Sequence, residues 1–143
     1  FGHKLDFLDE MTAWFPANRS ARKKMIMVGD LNIAPLETDV WSHKQLLKVV
    51  SHTPIEVEKL GKVQQSVKWI DAVRHFIPES ERLYSWWSYR ARDWEAADHG
   101  RRLDHIWVTP KLAPALTGGH ILRRVRGWPK PSDHAPVIVD LEP

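Results

Sequence analysis

Asp30 and Asn32 close the segment MIMVGDLN, residues 25–32. Asp104 stands near the start of LDHIWVT, residues 103–109, beside His105. Asp133 and His134 precede the last apolar stretch, APVIVDL, residues 135–141. Carboxylates, an amide and an imidazole together suit a hard-metal phosphodiester site. Mg²⁺ prefers oxygen ligands and keeps several waters, so a few carboxylates suffice. Such a metal polarises a phosphate and lowers the pKa of an attacking water. An imidazole paired with a carboxylate holds its tautomer and stabilises phosphate charge. Taken singly, Asp and Asn after a strand are also ordinary turn formers. Residue types alone leave structural and chemical roles both open.

The elements that would position these residues follow from periodicity. Phe7, Leu8, Met11, Trp14 and Phe15 recur at helical spacing and predict an amphipathic helix over 2–15, stopped near Pro16 and Asn18. Residues 25–28 are consecutively apolar, which predicts a strand buried on both faces. A short helix is expected over 41–49, and another opens at Pro54. WIDAVRHF, residues 69–76, reads as helical, and YSWWSYR, residues 84–90, as a strand. The polar stretch 92–102 reads as a loop, 103–109 as a strand, 120–126 as a basic edge strand and 135–141 as the final strand. This order predicts one α/β layered domain with mixed sheets.

Composition narrows the class. With 143 residues, 43% of them hydrophobic, the chain suits one domain with a core rather than a disordered tail. Eight tryptophans against two tyrosines place some indole at grooves or surfaces. A net charge of +3 permits a nucleic-acid partner without requiring one. The absence of cysteine excludes disulfides and thiolate metal sites. No apolar run approaches membrane-spanning length, and a cytoplasmic address is expected. The chain starts without Met, inside an expected helix, as a fragment would.

Three segments in order, GDLN (29–32), RLDHIWV (102–108) and PSDHAPV (131–137), resemble motifs of the exonuclease III family of AP endonucleases and exonucleases. That family lies within the endonuclease/exonuclease/phosphatase superfamily. WIDAVRHF and YSWWSYR resemble the stretches between, so the likeness covers almost the whole chain. It implies the C-terminal half of a single domain: a four-layered α/β sandwich, two mixed β-sheets face to face with outer helices. It implies Mg²⁺- or Mn²⁺-dependent cleavage of double-stranded DNA at abasic sites and 3′ ends, in DNA repair.

On that resemblance Asp30 positions or activates the attacking water and, with Asp133, serves the metal. Asn32 orients the scissile phosphate. His134 contacts a phosphate oxygen, and Asp104 orients His134. Successive strand residues point oppositely, so of Trp86 and Trp87 one enters the core and its neighbour faces a groove. By resemblance, Trp87 lines a pocket for the abasic sugar. Arg90 is the foremost phosphate contact, with Arg92, Arg101 and Arg102, and separately Arg123, Arg124, Arg126 and Lys130, as further basic candidates. Trp94 either wedges into an opened duplex or folds back on the core. His105 is expected to pack or face solvent, and the other six histidines take no role.

The resemblance also implies a missing N-terminal half, in cis or as a second chain, carrying a Glu metal ligand, an Asn and a Tyr. Without it a sheet face and edges are expected to lie open and the chain to be inactive. Superfamily relatives also act on inositol phosphates and sphingomyelin. A non-DNA phosphodiester substrate, or a non-catalytic half-domain, are therefore the rival readings.

Overall fold

In the computed structural model, which describes residues 1–142, helix α1 (Gly2–Asn18) leads into strand β1 (Ile26–Asp30). Helices α2 (His43–Leu46) and α3 (Pro54–Ser66) follow, then β2 (Ile70–Asp71) and β3 (Trp86–Trp87). Helix α4 (Trp94–Ala97) precedes β4 (Gly100–Arg101) and β5 (Asp104–Val108), and β6 (Leu116–Ile121) and β7 (Val137–Leu141) end the chain. No helix among the described residues is long and apolar enough to cross a membrane.

Strand β5 is the centre of a three-stranded antiparallel sheet ordered β1-β5-β2. Its register places Asp30 opposite Asp104 and Ile26 opposite Val108. The antiparallel pairs β3–β4 and β6–β7 complete the sheets. Leu8 of α1, Ile33, Leu60 and Val63 of α3, Val67, Trp69 and Trp107 form the main core cluster, with Met25 and Met27 packed against it. Helix α3 begins on a capping box. The buried Glu56 carboxylate accepts from the Thr53 hydroxyl (2.7 Å) and the Ser51 amide (2.8 Å).

Several elements depart from sequence expectation for tertiary reasons. Helix α1 runs through Pro16 to Asn18. Proline near the end of a helix sacrifices few backbone bonds, and the Arg19 amide still closes on the Phe15 carbonyl at 2.7 Å. Phe7 and Trp14, expected on the packed face, remain exposed. Strand β1 is not buried on both faces. Met27 meets the core, while Ile26 is 48% and Val28 66% exposed, because β1 is an edge strand with one face bare.

The 69–76 stretch is not a helix. Ile70 and Asp71 instead pair with Val108 and Trp107 at the far edge of β5, and Asp71 gives its carboxylate to Arg102 at 2.7 Å. Local propensity loses here to a strand slot and a charge partner. Of residues 84–90, only Trp86 and Trp87 form a strand. The expected 92–102 loop contains α4 and β4. The expected 120–126 strand divides: β6 ends at Ile121 and a 3₁₀ turn covers Arg123–Gly127.

Candidate active site

The Asp30–Asp104 register sets the site, because antiparallel pairing puts the two carboxylates on neighbouring strands at one end of the sheet. His134 completes it. The Trp87 amide donates to the Asp133 carbonyl (3.0 Å) and the Ala135 amide to the Ser85 carbonyl (2.8 Å), stitching the 133–135 turn along β3. His134 Nδ1 then lies 2.7 Å from Asp104 Oδ2, and Nε2 lies 3.7 Å from Asp30 Oδ2 and 3.9 Å from Asp133 Oδ1. The expected site residues Asp30, Asp104, Asp133 and His134, far apart in sequence, therefore meet around one imidazole.

Each carboxylate is differently held. The Asp104 oxygen facing His134 also accepts from the fully buried Ser85 hydroxyl at 2.7 Å. That hydroxyl in turn accepts from the Leu103 and Asp104 amides at 2.9 and 3.1 Å. Asp133 Oδ2 accepts from the Trp86 indole at 3.0 Å, leaving Oδ1 toward His134. Asp30 Oδ1 accepts from the Asn32 amide at 2.9 Å, leaving Oδ2 toward His134. Ser85 and Trp86 were not singled out from sequence as holders of these carboxylates, and only the third dimension shows them to be.

Partial burial disfavours the His134 imidazolium, but the Asp104 hydrogen bond and the charges of Asp104, Asp30 and Asp133 outweigh it. The His134 pKa is raised above the ordinary imidazole value. The Nδ1–H donated to Asp104 fixes the ring, so Nε2 is the atom presented to a ligand.

Asn32 stands exposed on a left-handed backbone at φ 52°, a conformation Asn tolerates. Its loop is clamped from both sides. Lys4 of α1 donates to the Asn32 carbonyl at 3.0 Å and to buried Glu56 at 2.6 Å. Burial opposes Glu56 ionisation, but hydrogen bonds from Lys4, Thr53 and the Ser51 amide hold its pKa below the ordinary value. From the core side, His105 Nε2 meets the Ile33 carbonyl at 2.7 Å. His105 is buried, and burial with nearby Arg102 keeps its pKa low, so it packs as a neutral ring.

The donor set fits a hard cation in part. Asp30, Asp104 and His134 each offer a ligand atom, all within 4.8 Å of one another. Asp104 Oδ2 and His134 Nδ1, however, are spent on each other at 2.7 Å. Among the described residues, Asp30 Oδ2, Asp104 Oδ1 and Asp133 Oδ1 accept no hydrogen bond, although Asp133 lies outside that close group. One or two carboxylates with waters are what Mg²⁺ accepts.

Beside this site lies a cavity of about 610 Å³. Trp41, Trp86, Trp87, Trp94, His99, Arg90 and Arg101 line it. Trp87 is the core member of the tryptophan pair, only 1% exposed, with its indole N–H on Asp98 at 2.9 Å. Trp86 is the more accessible neighbour. Trp94 is folded back. It packs edge-on against Trp87, with Arg123 at 4.9 Å and Arg126 at 5.3 Å from its ring centroid. Arg90 is exposed at the cavity wall.

Two of the basic candidates are not surface groups. Arg126 is buried and donates to the Trp87 carbonyl. Arg102, 1% exposed, forms a two-point pair with Asp39 (2.7 and 2.9 Å) and reaches Asp71. Arg74 adds a second guanidinium to Asp39 at 2.7 Å. Burial opposes the Asp39 charge, but these two cations hold its pKa below the ordinary value. No local pattern marks Asp39 as their partner, since the residues that meet there are up to 63 positions apart.

Residues 1–134 match the Endonuclease/Exonuclease/phosphatase family. The chain belongs to that family. Within it the chain is 34% identical over 118 residues to a Bacillus subtilis exodeoxyribonuclease, covering 81% of this chain and 44% of that protein. It is 26% identical to Haemophilus influenzae exodeoxyribonuclease III, covering 99% of this chain and 55% of the relative. Among solved structures, an AP endonuclease from Archaeoglobus fulgidus superposes with a TM-score of 0.93 at 27% identity, over 99% of this chain and 54% of that one. A 3′–5′ exonuclease from Neisseria meningitidis gives a TM-score of 0.88 at 26% identity, over 99% and 54%. The chain thus shares the AP endonuclease fold and spans about half the length of the relatives it matches.

Proposed function

We propose that this chain is the C-terminal half of an exonuclease III-type DNA repair enzyme, which hydrolyses phosphodiesters at 3′ ends and abasic sites. The observation that carries the reading is the His134–Asp104 pair at 2.7 Å, with Asp30 and Asp133 oxygens within 4 Å of the opposite ring nitrogen. A structural turn has no need of three carboxylates around one imidazole. The chain's relatives, exodeoxyribonucleases and an AP endonuclease, suggest the substrate class.

In this mechanism the Asp30 carboxylate accepts the proton of the attacking water. The Asn32 side-chain amide donates to a non-bridging phosphate oxygen. His134, oriented by Asp104, donates from Nε2 to a second phosphate oxygen and stabilises the charge that develops there. Mg²⁺ or Mn²⁺, held through Asp30 and Asp133, would polarise the phosphate when bound. Arg90 and the walls of the aromatic cavity would hold the substrate strand. Activity would require the remaining half, in cis or as a second chain. That requirement is supported by the bare face and free edge of β1 and by the half-length match.

The test is incision of an abasic-site duplex by the full-length protein, with Mg²⁺ and with chelator. Asp30→Asn is expected to lower the rate by about 10²–10⁴-fold, the range for a general base. Chelator is expected to abolish cleavage, and the 143-residue chain alone to be inactive. Hydrolysis confined to inositol phosphates or phospholipids would overturn the DNA assignment.

A further inference from the structure

A second cavity, of about 220 Å³, shares only Trp87 with the aromatic one. Its other walls are Arg82, Leu83, Tyr84, Asp98, Ile121 and Arg123, and the cleavage reading above uses none of them. It is smaller than the roughly 300–1,000 Å³ of sites that enclose a whole ligand. It is larger than the roughly 150 Å³ that takes a benzene ring. One side chain or end group is therefore the size that fits.

The walls are fixed from the interior. Buried Arg74 donates to the Pro78 and Glu81 carbonyls at 2.6 and 2.8 Å, and the Leu83 amide donates to the Thr38 carbonyl at 3.1 Å. The loop carrying Arg82 and Leu83 is thereby pinned. The Tyr84 ring packs on Gly100 of β4, where a Cβ would collide with it. Asp98 Oδ1 accepts from the Trp87 indole at 2.9 Å and from Arg123 at 3.2 Å, which leaves Oδ2 without a donor.

Two donors here are unanswered. Tyr84 is 6% exposed, and its hydroxyl has no hydrogen-bond partner. Burial pushes the Tyr84 pKa up, which keeps the group a neutral O–H donor. Arg82 stands beside that hydroxyl and is exposed. Arg123 is answered by Asp98 and Glu95, whereas among the described residues no carboxylate pairs with Arg82. A buried donor without an acceptor carries a cost that a ligand's acceptor removes. The cavity thus offers apolar walls, two donors and one free carboxylate oxygen. A phosphate would suit the donors but not the walls, and Asp98 and Glu95 would repel it. The last residue of a polypeptide suits all three, with an apolar side chain, a carboxylate and an amide N–H.

We propose that this cavity captures the C-terminal residue of a partner protein that ends in a large apolar side chain. That side chain enters between Leu83, Ile121 and Trp87. The terminal carboxylate accepts from Arg82 and from the Tyr84 hydroxyl, and the last amide donates to Asp98 Oδ2. Backbone and terminal groups supply the affinity, as in other captures of a chain end. The assignment does not depend on the nuclease reading.

The test is fluorescence anisotropy on the full-length protein. The probes are two fluorescein-labelled hexapeptides ending in phenylalanine, one with a free C-terminal carboxylate and one amidated. Loss of a hydrogen bond to a charged group corresponds to about 10–150-fold in affinity. The free acid is expected to bind at least tenfold more tightly than the amide. Arg82→Gln, a change at an exposed position, is expected to weaken the free acid at least tenfold and the amide less than twofold. Tyr84→Phe, which keeps the ring on Gly100, is expected to weaken the free acid by a smaller factor. Equal binding of acid and amide would overturn the proposal, as would no binding of the free acid at millimolar concentration. So would an unchanged affinity in Arg82→Gln. Displacement of the peptide by a short single-stranded DNA would assign the cavity to nucleic acid and overturn it as well.

Discussion

The residues that meet at His134 come from two flanks of the site, built to different standards. On one side, Asp104 is held by the buried Ser85 hydroxyl and Asp133 by Trp86, while the Asp39–Arg102–Arg74 cluster fixes the strands behind them. On the other, Asp30 and Asn32 stand exposed at the end of an edge strand whose outer face carries bare Ile26 and Val28. The first flank is ordered by this chain's own interior. The second has its backbone fixed by Lys4 and His105, but its outward side is open. One chain can thus preorganise the His134 imidazole while leaving the Asp30 carboxylate only partly enclosed.

The sharpest way to break this contrast is at Asp39. Asp39→Ala strands two buried guanidinium groups and is expected to cost about 3–5 kcal/mol, read as a lower urea midpoint for the full-length protein. A loss below 1 kcal/mol would mean that the ordered flank does not depend on its charge cluster. Asp104→Asn acts next, on the imidazole itself. The His134 pKa is raised in the fold, so the stability it contributes is complete below the ordinary imidazole pKa and fades as pH rises through the raised value. Asp104→Asn is expected to shift the His134 ring titration to lower pH by NMR and to narrow that window. An unchanged titration would make Asp30 and Asp133 the controlling charges. Smallest is Val28→Ser. On an open face it should change the stability of the 143-residue chain by no more than about 0.5 kcal/mol. A distinctly larger cost in the full-length protein would show that the second flank is covered there.

Much of the candidate site was legible before any fold was known. GDLN, RLDHIWV and PSDHAPV offered Asp30, Asn32, Asp104, Asp133 and His134 as candidates through their family resemblance, since short motifs survive as local strings, and four of the five meet in the fold. Helix α3 and strand β5 were legible too, since a helix-opening proline and strand alternation are properties of neighbouring residues. The 69–76 stretch was misread as helical because its strand slot against β5 and its Asp71–Arg102 contact arise from distant residues.

The sequence by itself pointed to the family, to five candidate polar residues and to an aromatic, basic segment. Tertiary structure alone decided which charges are buried, which tryptophan faces the cavity and which side of β1 is bare. Arg102 and Arg90 are the same residue type twelve positions apart, yet one is locked on Asp39 in the interior and the other stands exposed at the cavity. The reason is physical. A charge is tolerated inside only where partners from elsewhere in the chain desolvate with it, and those partners are set by packing that no local pattern encodes.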